Sequence, residues 1–276
     1  MPWFPDFANA AELARREDRA VGQADPIVPY FRALNEDDPR PLENVWPGEV
    51  LIHDPRAGEV RGHRQLRHFV KRNLSWLAGY HARIETTGST KVGRTAVMEL
   101  LAHMDVDGRE VAWPVAVVAE SPDDLSVVFR TYLTQWPILG TYHVRASFLD
   151  PAPAPPGDVV GRYYAAVGAG DVDAVVGTFS PDGYFREPVG PDAVHRGQSE
   201  LRSYFAGSFS AGGGIGLQPC IVTDDGVHCA VEHNCVRWGD HELPSQAGIG
   251  IYERNPDGLL SAARVYDDVE PPVQRR

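Results

Sequence analysis

In residues 158–169, hydrophobic positions recur at the three- and four-residue spacing of an amphipathic helix. The Gly-Asp pair at 170–171 ends this pattern, and a second stripe of the same kind runs on to Phe179. A third stripe lies within residues 198–209. Because a period of 3.6 residues gathers such positions on one face, the pattern predicts three helices that each bury one side.

The pattern then changes to runs that are typical of strands. These runs are IGLQPCIVTD, VHCAVEHNCVRW, LPSQAGIGIYER and LLSAARVYDD, and a shorter run, YFREPV, precedes the third helix. This order predicts an α+β domain, in which three helices lie on one side of a curved antiparallel sheet. Such a cone is open at one end and leaves an apolar pocket between the helices and the sheet.

The chain repeats itself at a shift of about 133 residues. Tyr30 matches Tyr163 at a shift of 133, and Tyr132 matches Tyr266 at a shift of 134. The first copy follows the same order, with LIHDP as its short strand and AVMELLAHMDV, EVAWPVAVVAE and LSVVFRTYLTQW as its long strands. Solenoid repeats are far shorter, so this period indicates two copies of one domain.

The repeat and a proline-rich stretch predict the domain boundaries. We expect an N-terminal arm in residues 1–24, a first domain in 25–149, a linker in 150–157 and a second domain in 158–272. The linker, DPAPAPPG, carries four prolines in eight residues and is therefore expected to be semi-extended. Domains of this kind commonly pair through their sheets, so we expect an internal pseudo-dimer within a monomer or a homodimer.

Composition narrows the possible partners. The formal net charge is −12, and neither half has the basic footprint of a nucleic-acid or anionic-membrane binder. No apolar run approaches the ~18 residues of a membrane span, and the N-terminus lacks the pattern of a signal peptide. We therefore expect a cytoplasmic protein that binds neither nucleic acid nor membrane. The three cysteines are expected to be buried reduced thiols.

The stretch VVGRYYAAVGAGDVDAVVGTFSPDGYFREPVG, continuing into HRGQSELRSYF, resembles the opening half of ketosteroid isomerases and SnoaL-like polyketide cyclases. These belong to the nuclear transport factor 2-like (NTF2-like) superfamily, whose cystatin-like cone agrees with the fold predicted above. The resemblance covers residues 158–210 clearly and 220–270 more weakly. Residues 27–140 share it mainly through the internal repeat.

The resemblance implies a set of catalytic residues. A tyrosine on the first helix, here Tyr163 and in the first copy Tyr30, would stabilise an oxyanion. The acid before the Pro-Val-Gly strand end, here Glu187 with Asp54 in the first copy, would move the proton. The second acid of ketosteroid isomerases is missing, and only Gln246 offers a polar group in the corresponding run.

Further carboxylates interrupt the β-rich runs. Glu232 and its repeat partner Glu99 would pair with Glu187 and Asp54 if they faced the cone, as in epoxide opening. Neighbouring strand residues point to opposite faces, so Glu232 and His233 are alternatives for the cone. SnoaL-like cyclases use an Asp and a His on the later strands, and Asp267 could correspond to that Asp, although a structural role is expected for it.

Several aromatic residues are candidates for lining the pockets. They are Phe179, Phe205 and Trp238 in the second copy and Trp46 and Trp113 in the first. The sequence shows no metal cluster and no phosphate-binding loop, so we expect chemistry without a cofactor. The function expected is acid–base catalysis, as an isomerase, cyclase or epoxide-opening enzyme, on an apolar polyketide-like or polycyclic molecule. The alternative is a non-catalytic binding or scaffolding protein.

Overall fold

The computed structural model describes residues 40–152 and 156–271. The predicted N-terminal arm, the first helices of the first copy and Tyr30 lie outside the described residues. The chain divides into two compact units between Tyr132 and Leu133. Residues 133–152 are thus part of the second unit. The domain boundaries given in the sequence analysis stay predictions. None of the helices in the described ranges combines the length and hydropathy that crossing a membrane requires.

Each unit contains a six-stranded sheet. The elements of the first unit are α1 (Arg40–Val45), β1 (Val50–Asp54), β2 (Gly58–Arg61), α2 (Gly62–Gly79), β3 (Arg83–Val92), β4 (Thr95–Val106), β5 (Arg109–Glu120) and β6 (Val127–Tyr132). The elements of the second unit are α3 (Trp136–Leu139), α4 (Val159–Ala169), α5 (Val172–Val176), β7 (Phe179–Arg186), β8 (Val194–Arg196), α6 (Gly197–Ser208), β9 (Ile215–Asp224), β10 (His228–Trp238), β11 (His241–Arg254) and β12 (Leu260–Tyr266).

The two sheets have the same topology. Their strand orders are β2-β1-β6-β5-β4-β3 and β8-β7-β12-β11-β10-β9. The registers also match, because Leu100 pairs with Val115 in the first sheet and His233 pairs with Gly248 in the second, each 133 residues further on. Two repeated α+β domains, as predicted from the sequence, are confirmed.

The sheets are mixed, in contrast to the antiparallel sheets that we predicted. β1 pairs in parallel with β6, and β7 pairs in parallel with β12, while the other neighbours are antiparallel. The rest of the domain connects the first strand of each copy to its last strand. Because this connection is long, the two strands can pair in parallel, which a tight hairpin would not allow. This pairing places the end of the short strand next to the end of the last long strand.

Three helices of the second unit cover one face of its sheet. Val160 and Tyr163 of α4, Val176 of α5 and Phe205 of α6 are all buried in one apolar core. The carboxylate of Asp158 caps α4 by accepting a hydrogen bond of 2.9 Å from the backbone N–H of Val160. The core therefore consists of helix faces packed against strand residues, as the hydrophobic periods predict.

The second helix is shorter than predicted. It ends at Val176, and Phe179 is the first residue of β7 and not the last of the helix. Phe179 is still buried. Because the side chain is buried in either conformation, the hydrophobic stripe alone did not distinguish a helix end from a strand start.

The segment that follows β6 is fastened to the second unit by hydrogen bonds to Asp268. Oδ1 of Asp268 accepts hydrogen bonds from the hydroxyl of Thr134 at 2.5 Å and from the backbone N–H of Gln135 at 3.2 Å, and its Oδ2 accepts one from the backbone N–H of His143 at 2.9 Å. Further along, Ala146 bridges to Gln246 of β11, beyond the point where β12 ends. Residues 145–147 therefore run beside β11, on the edge that β12 occupies further along the strand.

Replacing Asp268 by Ala removes the acceptor of one hydroxyl and two backbone N–H groups. We expect the free energy of unfolding to fall by about 2–4 kcal/mol: hydrogen bonds to a charged group contribute ~1.5–3 kcal/mol each, and the desolvation of this buried carboxylate, which raises its pKa, offsets part of their sum. Urea unfolding followed by circular dichroism measures the loss. The exposed Asp257 has no such contacts, so Asp257→Ala is the control, expected within ~0.5 kcal/mol of the native chain. Equal stability of the two variants would contradict the fastening role.

Candidate active site

The second unit holds a small cavity between its helices and its sheet, which we call the inner cavity. Its volume is about 70 Å³. Aromatic rings form much of its wall, and three titratable groups of different chemistry face it. These lining residues include Tyr163, Phe185, Phe205, Tyr252, Glu187, His233 and Asp267. The cavity therefore combines an apolar wall with a few polar groups, which is typical of small-molecule sites.

His233 lies on β10 and is buried, with 2% of its surface exposed. Its Nδ1 is 2.9 Å from the hydroxyl of Tyr164 on α4. Its Nε2 is buried and has no hydrogen-bond partner among the described residues. Burial lowers the pKa of His233 to about 4, because an imidazolium would lose its hydration. At neutral pH His233 is therefore an uncharged ring with one unsatisfied nitrogen.

Asp267 follows the last residue of β12 and lines the same cavity. Burial raises the pKa of its carboxyl to about 7, the negative charge of Asp268 adds to this effect, and the backbone N–H of Val269 opposes it. Asp267 also retains some accessible surface. Near neutral pH it is therefore present in both its protonated and its ionised form.

Gly248 on β11 allows these two groups to lie close together. It pairs with His233 across the sheet, and it sits two residues along from Gly250 in the run AGIGIY. A Cβ atom at Gly248 would lie 2.9 Å from Nε2 of His233, 3.0 Å from Cβ of Asp267 and 3.5 Å from its Oδ2. Because Gly248 has no side chain, His233 and Asp267 can approach each other over this position, where any Cβ atom would be too close to both.

Three tyrosines surround this pair. Tyr163 packs against Tyr164, with ring centroids 6.1 Å apart, and against Tyr252 at 5.3 Å. Burial raises the pKa of each of these hydroxyls well above the usual value of 10. All three hydroxyls therefore stay protonated, and they are available only as neutral hydrogen-bonding groups.

Glu187 lies at the rim of the inner cavity, after the end of β7. Its Oε1 is 2.7 Å from Nε2 of His195 on β8. The imidazole of His195 stacks on the ring of Tyr204, with centroids 4.2 Å apart and an interplanar angle of 24°. Glu187 is 8% exposed. It is thus a largely buried acid, held in place by a histidine that is itself held by an aromatic ring.

The other residues predicted for the second site are placed differently. Phe205 and Trp238 line the inner cavity together with Tyr163. Glu232 is buried but is not among the lining residues, because it neighbours His233 on β10 and points to the opposite face. Gln246 and Phe179 are buried and also lie outside the lining. Of the two alternatives on β10, it is His233 that faces the cavity.

The first unit lacks the polar groups of this cavity. Leu100 occupies the position of His233, and Leu133 follows Tyr132 where Asp267 follows Tyr266. Asp54, the counterpart of Glu187, accepts hydrogen bonds from the backbone N–H groups of Arg56 at 2.9 Å and Ala57 at 2.8 Å. Its carboxylate therefore closes a turn.

Among the described residues, the remaining first-copy candidates, Glu99, Trp46 and Trp113, are buried. Glu99 lies on β4 with its carboxylate over Gly88 of β3, where a Cβ atom would be 2.6 Å from Oε1. Trp46 meets Phe129 edge to face. Trp113 packs on Trp76 with ring centroids 5.7 Å apart. These contacts give the first unit a packed aromatic interior.

Several residues of the site were not singled out from the sequence as site residues. Tyr142, on the segment fastened by Asp268, lines the inner cavity and stacks on Trp136. Tyr164 and His195 were also missed, and Gly248 carried only the weak signal of a glycine inside a strand. Within residues 40–152 and 156–271, no three His, Cys, Asp or Glu side chains are grouped so as to hold a metal ion.

A family model described as SnoaL-like domain matches the chain twice, over residues 27–128 and 160–262. These matches span more than half of the chain, and the protein belongs to the SnoaL-like domain family. The resemblance found in the sequence is thereby confirmed. A comparison with curated proteins gives no match.

Solved structures that resemble the chain each match about one domain of it. A cystatin fold protein from Novosphingobium aromaticivorans is 18% identical, covering 39% of this chain and 93% of its own, with a TM-score of 0.34. A putative polyketide cyclase from Sinorhizobium meliloti is 20% identical, covering 39% and 92%, with a TM-score of 0.32. SalBIII, an epoxide hydrolase/cyclase-like enzyme of salinomycin pyran ring formation, is 25% identical, covering 39% and 86%, with a TM-score of 0.34.

The raised pKa of Asp267 predicts a pH-dependent effect on stability. The unfolded chain releases this proton near pH 4, whereas the folded chain keeps it up to about pH 7, so the native carboxyl destabilises the fold increasingly over that window. Asp267→Asn removes the effect. We expect the stability of the variant relative to the native chain to increase by about 2 kcal/mol between pH 5 and pH 8.

Urea unfolding at the two pH values measures this difference. Asp257→Asn is the matched control, because Asp257 is an exposed turn residue, and its relative stability should not change with pH. If Asp267→Asn likewise shows the same relative stability at both pH values, the carboxyl is not protonated in the folded chain at pH 5.

Proposed function

We propose that the second unit is a cofactor-independent acid–base catalyst that moves a proton on a small molecule held at the inner cavity. One observation carries this proposal: Asp267 and the uncharged His233 come together over Gly248, and both line the inner cavity with its aromatic wall. Paired groups whose environments shift their pKa values away from the usual ones are typical of acid–base sites.

Asp267 is the group proposed to exchange the proton with the substrate. A carboxyl with a pKa of about 7 has a proton to give and a basic form to accept one at neutral pH, which is the condition for efficient general acid–base catalysis. In its ionised form it would remove a proton from a carbon next to a carbonyl group. The resulting enol or enolate would regain a proton from the same carboxyl at another carbon, or react further before it does.

His233 is proposed to stabilise the oxygen of that carbonyl. Burial keeps the hydroxyl of Tyr164 protonated by raising its pKa, and we assign the tautomer in which this hydroxyl donates its hydrogen to Nδ1, 2.9 Å away. The ring proton is then on Nε2, the nitrogen without a partner among the described residues. A fixed, uncharged N–H donor in an apolar site stabilises developing negative charge without reorganising.

Glu187 is proposed as a second acid–base group at the rim. Its hydrogen bond with His195 orients the carboxylate beside the cavity, and it would accept or deliver a proton at the opposite end of the substrate. Tyr163, the oxyanion group that the family resemblance implies, lines the same cavity and would add its hydroxyl to the polar wall.

The first unit is proposed to have lost this chemistry. Leucine occurs at both positions equivalent to His233 and Asp267, and the carboxylate of Asp54 is used in a turn. A leucine side chain has neither a proton to transfer nor a hydrogen bond to donate. We therefore propose that the reaction takes place in the second copy.

Proton exchange at carbon provides the test, since it does not require knowledge of the natural substrate. The protein is incubated in D₂O with a panel of cyclic ketones and β-diketones, and deuterium incorporation beside the carbonyl is followed by NMR. We expect the rate to rise as the pH increases through about 7, where Asp267 ionises. Asp267→Asn should lower the rate by ~10²–10⁴-fold, the typical contribution of a general base.

Two further variants separate the proposed roles. His233→Phe should lower the rate but keep its pH dependence, because the base remains. Asp257→Asn, on an exposed turn, should have no effect. Equal exchange rates in the native protein and Asp267→Asn would contradict the proposal. Tight binding of the same ketones without any exchange would favour a non-catalytic binding protein.

A further inference from the structure

A second and larger cavity opens directly beside the inner one, and we call it the outer cleft. Its volume is about 580 Å³. Four residues line both the cleft and the inner cavity, so the two spaces are neighbours across shared side chains. These four are Glu187, Tyr204, Trp238 and Pro271.

Size decides which space holds the bulk of a ligand. A water molecule occupies ~30 Å³ in the liquid, so the inner cavity of about 70 Å³ accommodates only a small reactive group. Pockets for whole small molecules have volumes of ~300–1,000 Å³, and the outer cleft lies within this range. A larger ligand would therefore place only one edge in the inner cavity.

One face of α6 forms a wall of the outer cleft. Glu200, Ser203 and Gly207 are spaced at i, i+3 and i+7, which places them along one side of the helix. The opposite side buries Leu201 and Phe205 in the core. The polar side of this amphipathic helix is therefore turned to the cleft and provides hydroxyl and carboxylate groups.

Trp238 forms an aromatic surface in the same cleft. Its indole N–H donates a hydrogen bond of 2.9 Å to the carbonyl oxygen of Ser208, which fixes the orientation of the ring. The ring is partly exposed. Neither lysine nor arginine occurs among the described residues that line the cleft, so its chemistry does not favour an anion.

We propose that the outer cleft binds the body of the ligand, and that this body is an uncharged ring carrying several hydroxyl groups. The C–H face of such a ring would pack on Trp238, and its hydroxyls would exchange hydrogen bonds with Ser203 and Glu200 of α6. The reactive edge of the molecule would pass Glu187 into the inner cavity. This orientation, though not the binding itself, rests on the proposed function of Asp267 and His233.

A matched pair of probes tests the chemical class. The probes are 2-naphthol and 2-naphthyl β-D-glucopyranoside, which differ only in the hydroxylated ring, and their binding is measured by fluorescence titration. We expect the native protein to bind the glucoside at least tenfold more tightly than naphthol.

Gly207→Leu then fills the cleft. A Cβ atom at Gly207 has no neighbour within 4 Å, and leucine is a better helix former than glycine, so the fold is retained. The variant should lose at least tenfold in affinity for the glucoside and change less than twofold for naphthol. The control Ala206→Leu changes the adjacent exposed residue, which is outside the cleft, and should leave both affinities unchanged.

The result is separable from the catalytic proposal. Asp267→Asn should keep the preference for the glucoside. A failure to exchange protons would therefore not contradict ligand binding in the outer cleft, and a failure to bind the glucoside would not contradict proton exchange. Three outcomes would overturn the inference: the glucoside binds no more tightly than naphthol, Gly207→Leu and Ala206→Leu bind it equally well, or the native protein does not bind it at millimolar concentration.

Discussion

The register of the second sheet is the constraint on which the chemistry of this protein depends. Gly248 is opposite His233, and Ile249 is opposite Tyr266, so Asp267 comes beside Gly248, a strand position that has no side chain. Since side chains alternate along a strand, a slip of one residue would turn His233 outwards and Glu232 inwards. Such a slip would also move the buried hydrophobic residues of the strand out of the core, which is unfavourable. Packing energy thus holds His233 and Asp267 in place at the inner cavity.

Much of the fold follows from the sequence because its causes are local. Helical and alternating periods predict the order of helices and strands, and the repeat carries this order from one copy to the other. β3 was not recognised, because RIETTGSTKV is largely polar and half-exposed and resembles a loop in composition. The parallel pairing of β1 with β6 was missed for another reason: strand direction is set by the path of the whole domain and leaves no local pattern.

The site was predicted less completely than the fold. Alternation showed that Glu232 and His233 exclude each other, but the choice between them depends on which face meets the helices, and this is a tertiary property. Asp267 looked like a structural acid because it lies at a strand end. Its place in the cavity, beside Gly248 of β11 and together with Tyr163 and Tyr142, is a tertiary property that no local pattern shows. The Glu187–His195 contact joins two strands across a loop, and the first copy has no histidine at the equivalent position to signal it.

The two copies of the repeated domain differ in the polar residues that they bury. In the second copy, buried His233 and Asp267 lower the stability of the cone by their desolvation, a cost that is tolerated where it serves a reaction. In the first copy, leucines at the equivalent positions remove that cost. Stability and reactivity, which compete within one small core, are thereby distributed over two cores.

The segment fastened by Asp268 determines where the chain can be divided between the two copies. The proline-rich stretch looks like the natural place to separate the copies, yet residues 133–147 already belong to the second unit: residues 145–147 hydrogen-bond with β11, and Tyr142 forms part of the cavity wall. A gene fragment that starts at the prolines would encode a β11 without this neighbour and a cavity with an open side. The smallest separable unit of the second copy therefore begins just after the last strand of the first copy, and a division of the chain keeps both cores intact only at that point.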